Sequence, residues 1–302
     1  MKIFVVVLNF NGWQNTIECL KSIQKLTLPR NISIEPLVID NASSNDSIKK
    51  IKEEFPKVIV IENQTNLGFS GGSNEGMTYA LKNGADFVML LNNDTIIHPG
   101  LAENLLKPFE HDTVAAVVPK IYFEKGFEFH KNRYKDSEKG KVIWYAGGKI
   151  DWNNLLGKNI GVDEVDRGQF DIRMETEVAT GCCVMIRADL LQKIGLFDDR
   201  YFLYYEDADF SQRIRSAGFK IIYEPKAIVW HKNAESSGVG SDLHDYYISR
   251  NRLLFGMSYA QIRTKLALVR ESLNLIRTGR KWQKIGIRDF YIRKFNHGSF
   301  PI

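Results

Sequence analysis

Phe87-Val88-Met89-Leu90-Leu91-Asn92-Asn93-Asp94 is the stretch on which the fold turns. Five apolar residues in unbroken succession suit a strand buried on both faces, as in a parallel sheet covered by helices. The three polar residues after it set amide and carboxylate oxygens at the strand's carboxyl end, the edge where open α/β sheets bind ligands. Short apolar runs at 3–8, 36–40, 58–61 and 115–119 repeat the pattern on either side. Between them Ile17, Leu20, Ile23 and Leu26 recur at helical spacing, and 72–82 and 101–109 read as further helices. Residues 1 to about 120 therefore form an open, doubly wound α/β half.

Beyond it, 120–176 is polar and irregular, and the Lys- and Glu-rich 124–141 reads as a mobile excursion. Runs at 142–150 and 178–186 predict a second, mixed sheet. Residues 207–216 predict a helix, 220–223 and 227–230 short strands, and the Ser- and Gly-rich 233–241 a flexible loop. From Leu243 onward the pattern is helical and basic, with Leu266, Val269, Leu273 and Ile276 on one face.

The chain has 302 residues, 44% hydrophobic and 25% charged, with 23 Gly and 8 Pro, which fits a globular enzyme and excludes a mainly disordered or collagen-like protein. Cys19, Cys182 and Cys183 cannot all pair and two are adjacent, so neither a disulfide framework nor zinc spacing is present, and a reducing, cytoplasmic setting is expected. The opening run is too short for a signal peptide, and no uncharged apolar stretch reaches the roughly 20 residues of a membrane span. The net charge of +5 is uneven: residues 250–302 hold twelve Lys and Arg against two acids, +10, which leaves −5 for residues 1–249. The tail is where an anionic partner would bind.

Several segments carry chemistry. Oxygen ligands at Asn92-Asn93-Asp94 suit a hard cation that completes its shell with water and phosphate, although the same tripeptide is also good turn or helix-capping material. Asp40, in Asp40-Asn41-Ala42-Ser43, emerges directly after a strand, where it can hydrogen-bond a nucleoside or form an Asx-turn before a helix at 44–52. The glycine-rich 66–76 reads as a loop running into a helix, open to a diphosphate or simply a tight turn; no Gly-Lys-Ser/Thr ends it. Glu206-Asp207-Ala208-Asp209 sets three carboxylates within four residues. Like charges this close raise one another's pKa and suit a general base, while acids in a first helical turn also complement the helix dipole, the role expected of Asp209. His231 offers an imidazole to a metal or to the core. Cys182 and Cys183 lie in an apolar run and read as small buried residues.

Taken in order, Val7-Leu8-Asn9-Phe10-Asn11-Gly12, Asp40-Asn41-Ala42-Ser43, Asn66-Leu67-Gly68-Phe69, Gly71-Gly72-Ser73-Asn74, Asn92-Asn93-Asp94, Gly181 ahead of Met185-Ile186-Arg187, Glu206-Asp207-Ala208-Asp209 with Arg213, and Trp230-His231 resemble the family-2 glycosyltransferases of the GT-A fold. The likeness covers residues 1 to about 256 and is greatest to rhamnosyltransferase-type enzymes of bacterial surface polysaccharide assembly. It implies a mostly parallel central sheet flanked by helices with a C-terminal helical extension. The expected organisation is a catalytic domain over 1–242, with a nucleotide-binding half to residue 120 and an acceptor-binding half over 121–242, then a basic helical extension over 243–302.

The resemblance further implies that Asp40 reads the base, flanked by Asn9 and Asn11. Leu8, Asn41, Asn66, Gly68, Gly71, Gly72, Asn74, Asn92 and Asn93 would complete the donor site. Asp94 and His231 would hold Mg²⁺ or Mn²⁺, Asp207 would be the base, and Gly181, Glu206 and Arg213 would face the acceptor. The first two positions of the metal motif are Asn rather than Asp, and the Gln-x-x-Arg-Trp motif of processive synthases is absent, so single-sugar addition with inversion is expected. The donor would be dTDP-rhamnose, then a UDP-sugar, and the acceptor a glycan or lipid-linked saccharide.

Two other activities share these elements. A sugar nucleotidyltransferase would place Arg and Lys in a Gly-rich loop after the first strand, and 9–13 has neither cation. A non-catalytic nucleotide-sugar binding protein would not need Asp207 beside Glu206. Trp282, Phe290, Tyr291 and Phe295 among the basic residues of 250–302 suit an anionic bilayer at the inner face of the cell membrane, or packing on the core or a second subunit as a homodimer. No motif supports nucleic-acid binding.

Overall fold

A computed structural model describes residues 1–130, 132–233 and 240–301. Along the first half run β1 (Lys2–Asn9), α1 (Trp13–Ile23), β2 (Ser33–Asp40), α2 (Ser47–Glu54), β3 (Ile59–Glu62), α3 (Gly68–Lys82), β4 (Phe87–Asn92), β5 (Thr95–Ile97), α4 (Leu101–Leu106) with a 3-10 turn after it, and β6 (Val114–Phe123). Then come β7 (Ile143–Tyr145), β8 (Gly148–Asp151), β9 (Leu156–Asn159), β10 (Met174–Glu175), β11 (Cys183–Arg187), α5 (Ala188–Ile194), α6 (Glu206–Ser216), β12 (Lys220–His231), α7 (Asp242–Tyr259), α8 (Ile262–Thr278) and α9 (Lys281–Tyr291).

One large sheet carries the order β10-β12-β6-β11-β4-β1-β2-β3, with β5 on β12 and β7 on β6. In that row β10 and β11 run against the rest, so the strands are mostly parallel. Helices cover both faces, which is why Ile3, Val5 and Val7 on one side of β1 and Phe4 and Val6 on the other are all at most 2% exposed. Cys19 and Leu20 of α1 pack into the same core, as the helical spacing predicts. All three cysteines are buried and unpaired. No helix among the described residues is long and apolar enough to cross a membrane.

The structure corrects several expectations. No second large sheet forms: β11 inserts between β4 and β6, and only β8 and β9 pair separately. The two strands expected at 220–223 and 227–230 are one, β12, whose register against β6 shifts between Glu224 and Ile228, beside Pro225, which has no N–H to donate. In the described part of the excursion at 124–141, Glu128 ties its two arms together, accepting from the N–H groups of Gly126 (2.9 Å) and Gly140 (2.8 Å). The glycine-rich stretch is helix rather than loop, since α3 starts at Gly68. A Cβ at Gly72 would stand 2.4 Å from Leu8 Cδ1, and one at Gly76 2.2 Å from Val6 Cγ1. These glycines cost the helix about 1 kcal/mol each relative to Ala, offset by the close approach of α3 to β1.

The apolar residues of α8 share one face, as their spacing predicts, and that face turns outward, with Leu266 66% and Leu273 55% exposed, while Leu268 and Ser272 point inward. Most of the loop expected at 233–241 lies outside the described residues.

Candidate active site

The ends of β1 and β2 meet in register at Asn9 and Asp40. Asn9 Nδ2 donates to Asp40 Oδ1 (2.7 Å) and to Ser43 Oγ (3.1 Å), and the Ser43 N–H donates to Asp40 Oδ2 (2.9 Å). Asp40 is 1% exposed, so both of its oxygens hold the turn that follows β2. Asn11, at φ 55°, accepts from the Ser44 N–H at 2.9 Å and braces that turn from the β1 side. Asn41 reaches the other way: its Oδ1 accepts from the Leu67 N–H (3.0 Å) and its Nδ2 donates to Asn66 Oδ1 (2.8 Å), which fixes the start of α3. A cleft of about 840 Å³, within the size range of small-molecule sites, opens here between Phe10, Ala42, Asn66 and Gly71 and the C-terminal residues Asn296 and Phe300.

Next along the sheet edge, β4 ends at Asn92 and the chain turns into β5, so Asn92-Asn93-Asp94 is a turn between strands and not a helix cap. Asn93 Nδ2 donates to Thr16 Oγ1 (3.0 Å), tying the turn to α1. Asp94 Oδ1 lies 3.1 Å from Nε2 of His231 at the end of β12, because β12 pairs with β5 antiparallel. The two are 7% and 5% exposed. Trp144 packs perpendicular to the imidazole with ring centres 4.7 Å apart, and His231 Nδ1 meets no hydrogen-bond partner among the described residues. Among the described residues no third His, Cys, Asp or Glu joins this pair into a metal cluster. One carboxylate and one imidazole therefore fit a cation that draws its remaining ligands from water and phosphate, and the nitrogen suits a transition-metal ion such as Mn²⁺ better than Mg²⁺.

The same edge carries Asp207. The Asn92 N–H donates to the Cys182 carbonyl (2.9 Å), and Gly181, one residue earlier, donates its N–H to Asp207 Oδ2 (3.4 Å). The start of β11 thus joins the Asp94 turn to the carboxylate. Asp207 opens α6, with Oδ1 accepting from the Ala208 N–H at 2.8 Å. Burial raises its carboxyl above the usual range, against the pull of those N–H groups. Asp207 keeps some exposure, whereas Glu206 is 5% exposed and its Oε2 has no partner. Burial, with the Asp207 charge adding to it, pushes Glu206 well above the carboxylate range.

Glu206 therefore holds its proton more tightly folded than unfolded, and stability falls as pH rises from the unfolded value near about 4.3 toward the raised folded one. Glu206→Gln, which mimics the protonated acid, removes that fall. The variant should match the wild type in Tm near pH 4 and exceed it at pH 8. A lower Tm at pH 8 would show that Glu206 is ionised in the fold.

Other expected site residues hold the scaffold. Asn74 clamps the backbone of Phe197, donating to its carbonyl and accepting from its N–H, both at 2.9 Å. Arg213 binds Asp209 (2.8 Å) and the carbonyls of Ile194 (2.8 Å) and Leu196 (2.7 Å), six residues beyond Asp207 and on another face of α6. Asp209, 4% exposed, stands in the first turn of α6, as its expected helix-dipole role requires, and also accepts from Tyr259 Oη (2.7 Å).

Arg250 and Asn251 of α7 went unnoticed in the sequence. Phe202, Tyr204 and Tyr205, just before Asp207, all have left-handed backbones, at φ 65°, 67° and 72°. Such conformations persist only where surroundings enforce them. Asn251 Nδ2 donates to the carbonyls of Tyr201, Leu203 and Tyr204 (2.7 to 2.8 Å), and Arg250 Nη2 to those of Arg200 and Tyr201 (3.0 and 2.8 Å). Both side chains are 0% exposed. A basic tail offers no periodicity that marks one Arg-Asn pair as buried.

With this geometry in place, the comparisons are informative. The chain is 25% identical over 227 residues, 70% of its own length and 71% of the relative's, to an N-acetylglucosaminyl-diphospho-decaprenol L-rhamnosyltransferase of Mycobacterium tuberculosis. Its structure is similar to GalNAc-T7 with UDP, GalNAc and Mn²⁺ (TM-score 0.63, 20% identity, 90% of this chain and 55% of that one). It is also similar to the mannosyltransferase PcManGT from Pyrobaculum calidifontis in complex with GDP-Man and Mn²⁺ (TM-score 0.53, 12% identity, 96% and 86%). The fold is the GT-A fold of these transferases. The model of glycosyl transferase family 2 matches residues 4–195, and the chain, with its α/β sheet and candidate site at one sheet edge, belongs to that family.

Proposed function

We propose that the protein is a metal-dependent inverting hexosyltransferase that moves one sugar from a nucleotide-diphosphate donor to a glycan or lipid-linked acceptor of cell-surface polysaccharide. dTDP-rhamnose is the first expected donor and a UDP-sugar the second. The observation that carries this reading is the Gly181–Asp207 contact, because it sets a carboxylate of raised basicity at the sheet edge that also bears Asp94 and His231. In this reading Asp207 accepts the proton of an acceptor hydroxyl as that oxygen attacks the anomeric carbon from the face opposite the leaving diphosphate. The nucleoside lies over the Asp40–Ser43 turn and the start of α3, near Asn9, Asn11 and Asn66. Gly181 and Glu206 border the acceptor.

Asp94 and His231 would hold the divalent cation, whose charge offsets that building on the diphosphate. The name of the Mycobacterium relative supports a rhamnosyl donor and a lipid-linked acceptor. Mn²⁺ in both solved transferases supports the cation.

Transfer assays over dTDP-rhamnose, UDP-sugars and GDP-mannose, with a lipid-linked saccharide as acceptor, test this reading. Turnover of dTDP-rhamnose should fall at least tenfold with a chelator and return with Mn²⁺. Full turnover in chelator would remove the metal from Asp94 and His231. Pyrophosphate release would favour nucleotidyl transfer instead.

A further inference from the structure

Helix α8 presents its apolar side to water. Ile262, Leu266, Leu273 and Ile276 are 72%, 66%, 55% and 40% exposed, with Val269 between them half-buried. Their spacing, 262, 266, 269, 273 and 276, alternates four and three and draws one straight stripe along the helix. On a helix that needed only to pack on α7 and α9, this side would be polar. Ser272 occupies the inner side instead, hydrogen-bonded at 2.7 Å to Tyr291 at the end of α9. Ile292, next to Tyr291, is itself 60% exposed.

The charges beside the stripe are of one sign. Arg263, Arg270 and Arg277 recur every seven residues along one border, and Lys265 lies on the other. None of these four meets a carboxylate among the described residues. The one acid of α8, Glu271, is taken by Arg252 of α7 at 2.8 and 2.9 Å. A second copy laid on the stripe would bring only cations to those borders, and like charges across a helix pair are unfavourable. A surface that is apolar inside and anionic at its rim matches both features at once.

We propose that α8 is an interfacial helix, seating the protein on a bilayer that contains anionic phospholipid, with the stripe between the acyl chains and Arg263, Arg270 and Arg277 among the headgroups. This follows from exposure and charge alone and does not depend on which sugar is transferred.

Co-sedimentation of the full chain with phosphatidylcholine vesicles, with and without phosphatidylglycerol, tests it. Binding should require the anionic lipid and weaken with salt. Changing Arg263, Arg270 and Arg277 together to Gln should weaken it on the order of a hundredfold, since each surface cation contributes roughly a fivefold factor. The variant L266Q/L273Q, altered only at exposed positions, should lose binding at least tenfold while keeping the wild-type Tm. Equal binding to neutral vesicles, no binding to anionic ones, or undiminished binding by L266Q/L273Q would overturn the proposal. So would a wild-type dimer that L266Q/L273Q converts to monomer, because a second copy would then cover the stripe.

Discussion

Asp207→Asn is expected to lower kcat by about a thousandfold or more while leaving the donor Kd within about threefold of the wild type. A positioned general base contributes roughly 10²–10⁴ in rate, and an amide cannot take the hydroxyl proton. Asn retains the shape and one oxygen, so one of the two N–H contacts that seat the side chain, from Ala208 to Oδ1 or from Gly181 to Oδ2, survives and holds it in place. The proposed donor site draws on different elements, the ends of β1, β2 and β4 and the start of α3, and should not register the change. Calorimetric titration of the donor beside steady-state transfer rates separates the two effects. Near-normal turnover in this variant would place the base elsewhere.

Arg250→Met should have the largest effect on stability. The guanidinium is fully buried and donates to the carbonyls of Arg200 (3.0 Å), Tyr201 (2.8 Å) and Asn296 (2.5 Å), and to Asn251 Oδ1 (2.9 Å), against the rings of Tyr246 and Tyr247. No carboxylate among the described residues pairs with it directly, and burial pulls its pKa below the ordinary arginine value. Methionine fills part of the volume but takes the donor from the Asn296 carbonyl and from Asn251 Oδ1, while the Arg200 and Tyr201 carbonyls keep their other donors, Asn296 N–H, Leu203 N–H and Asn251 Nδ2. With a charged hydrogen bond worth about 1.5–3 kcal/mol and some solvent rearrangement, the loss comes to about 3–5 kcal/mol, or on the order of 10 °C in Tm. Activity should fall further than stability alone accounts for, because the left-handed turn at 202–205 loses the restraint that delivers Asp207 to Gly181. A Tm within about 2 °C of the wild type would show that α7 does not hold this turn.

These two predictions draw on parts of the chain that differed in how much they disclosed. The parallel half was legible because burial on both faces leaves unbroken apolar runs, and the runs at 3–8, 36–40 and 87–91 end within one residue of their strands' ends at Asn9, Asp40 and Asn92. The membership of β11 and β12 in the same sheet was not, because strand order depends on pairings far apart in sequence, such as Cys183 with Leu91. The glycines of α3 misled for a physical reason. Glycine marks close approach of backbone to something, and here that something is the side chains of Val6 and Leu8. At Asp40 the sequence left two uses open, and the hydrogen bonds give the carboxylate to its own turn. The contact of Asp94 with His231, by contrast, needs only that β5 and β12 pair, and both residues stood out beforehand. Arg250 and Asn251 act through backbone carbonyls, whose positions no pattern of side chains announces.

The anomeric configuration of the sugar in the product tests the central claim most directly. In the transfer assay with dTDP-rhamnose and the wild-type chain, direct displacement with Asp207 as base predicts that NMR of the product shows the configuration opposite to that of the donor. A product with the donor's own configuration would contradict it, since retention requires a different path at the anomeric carbon.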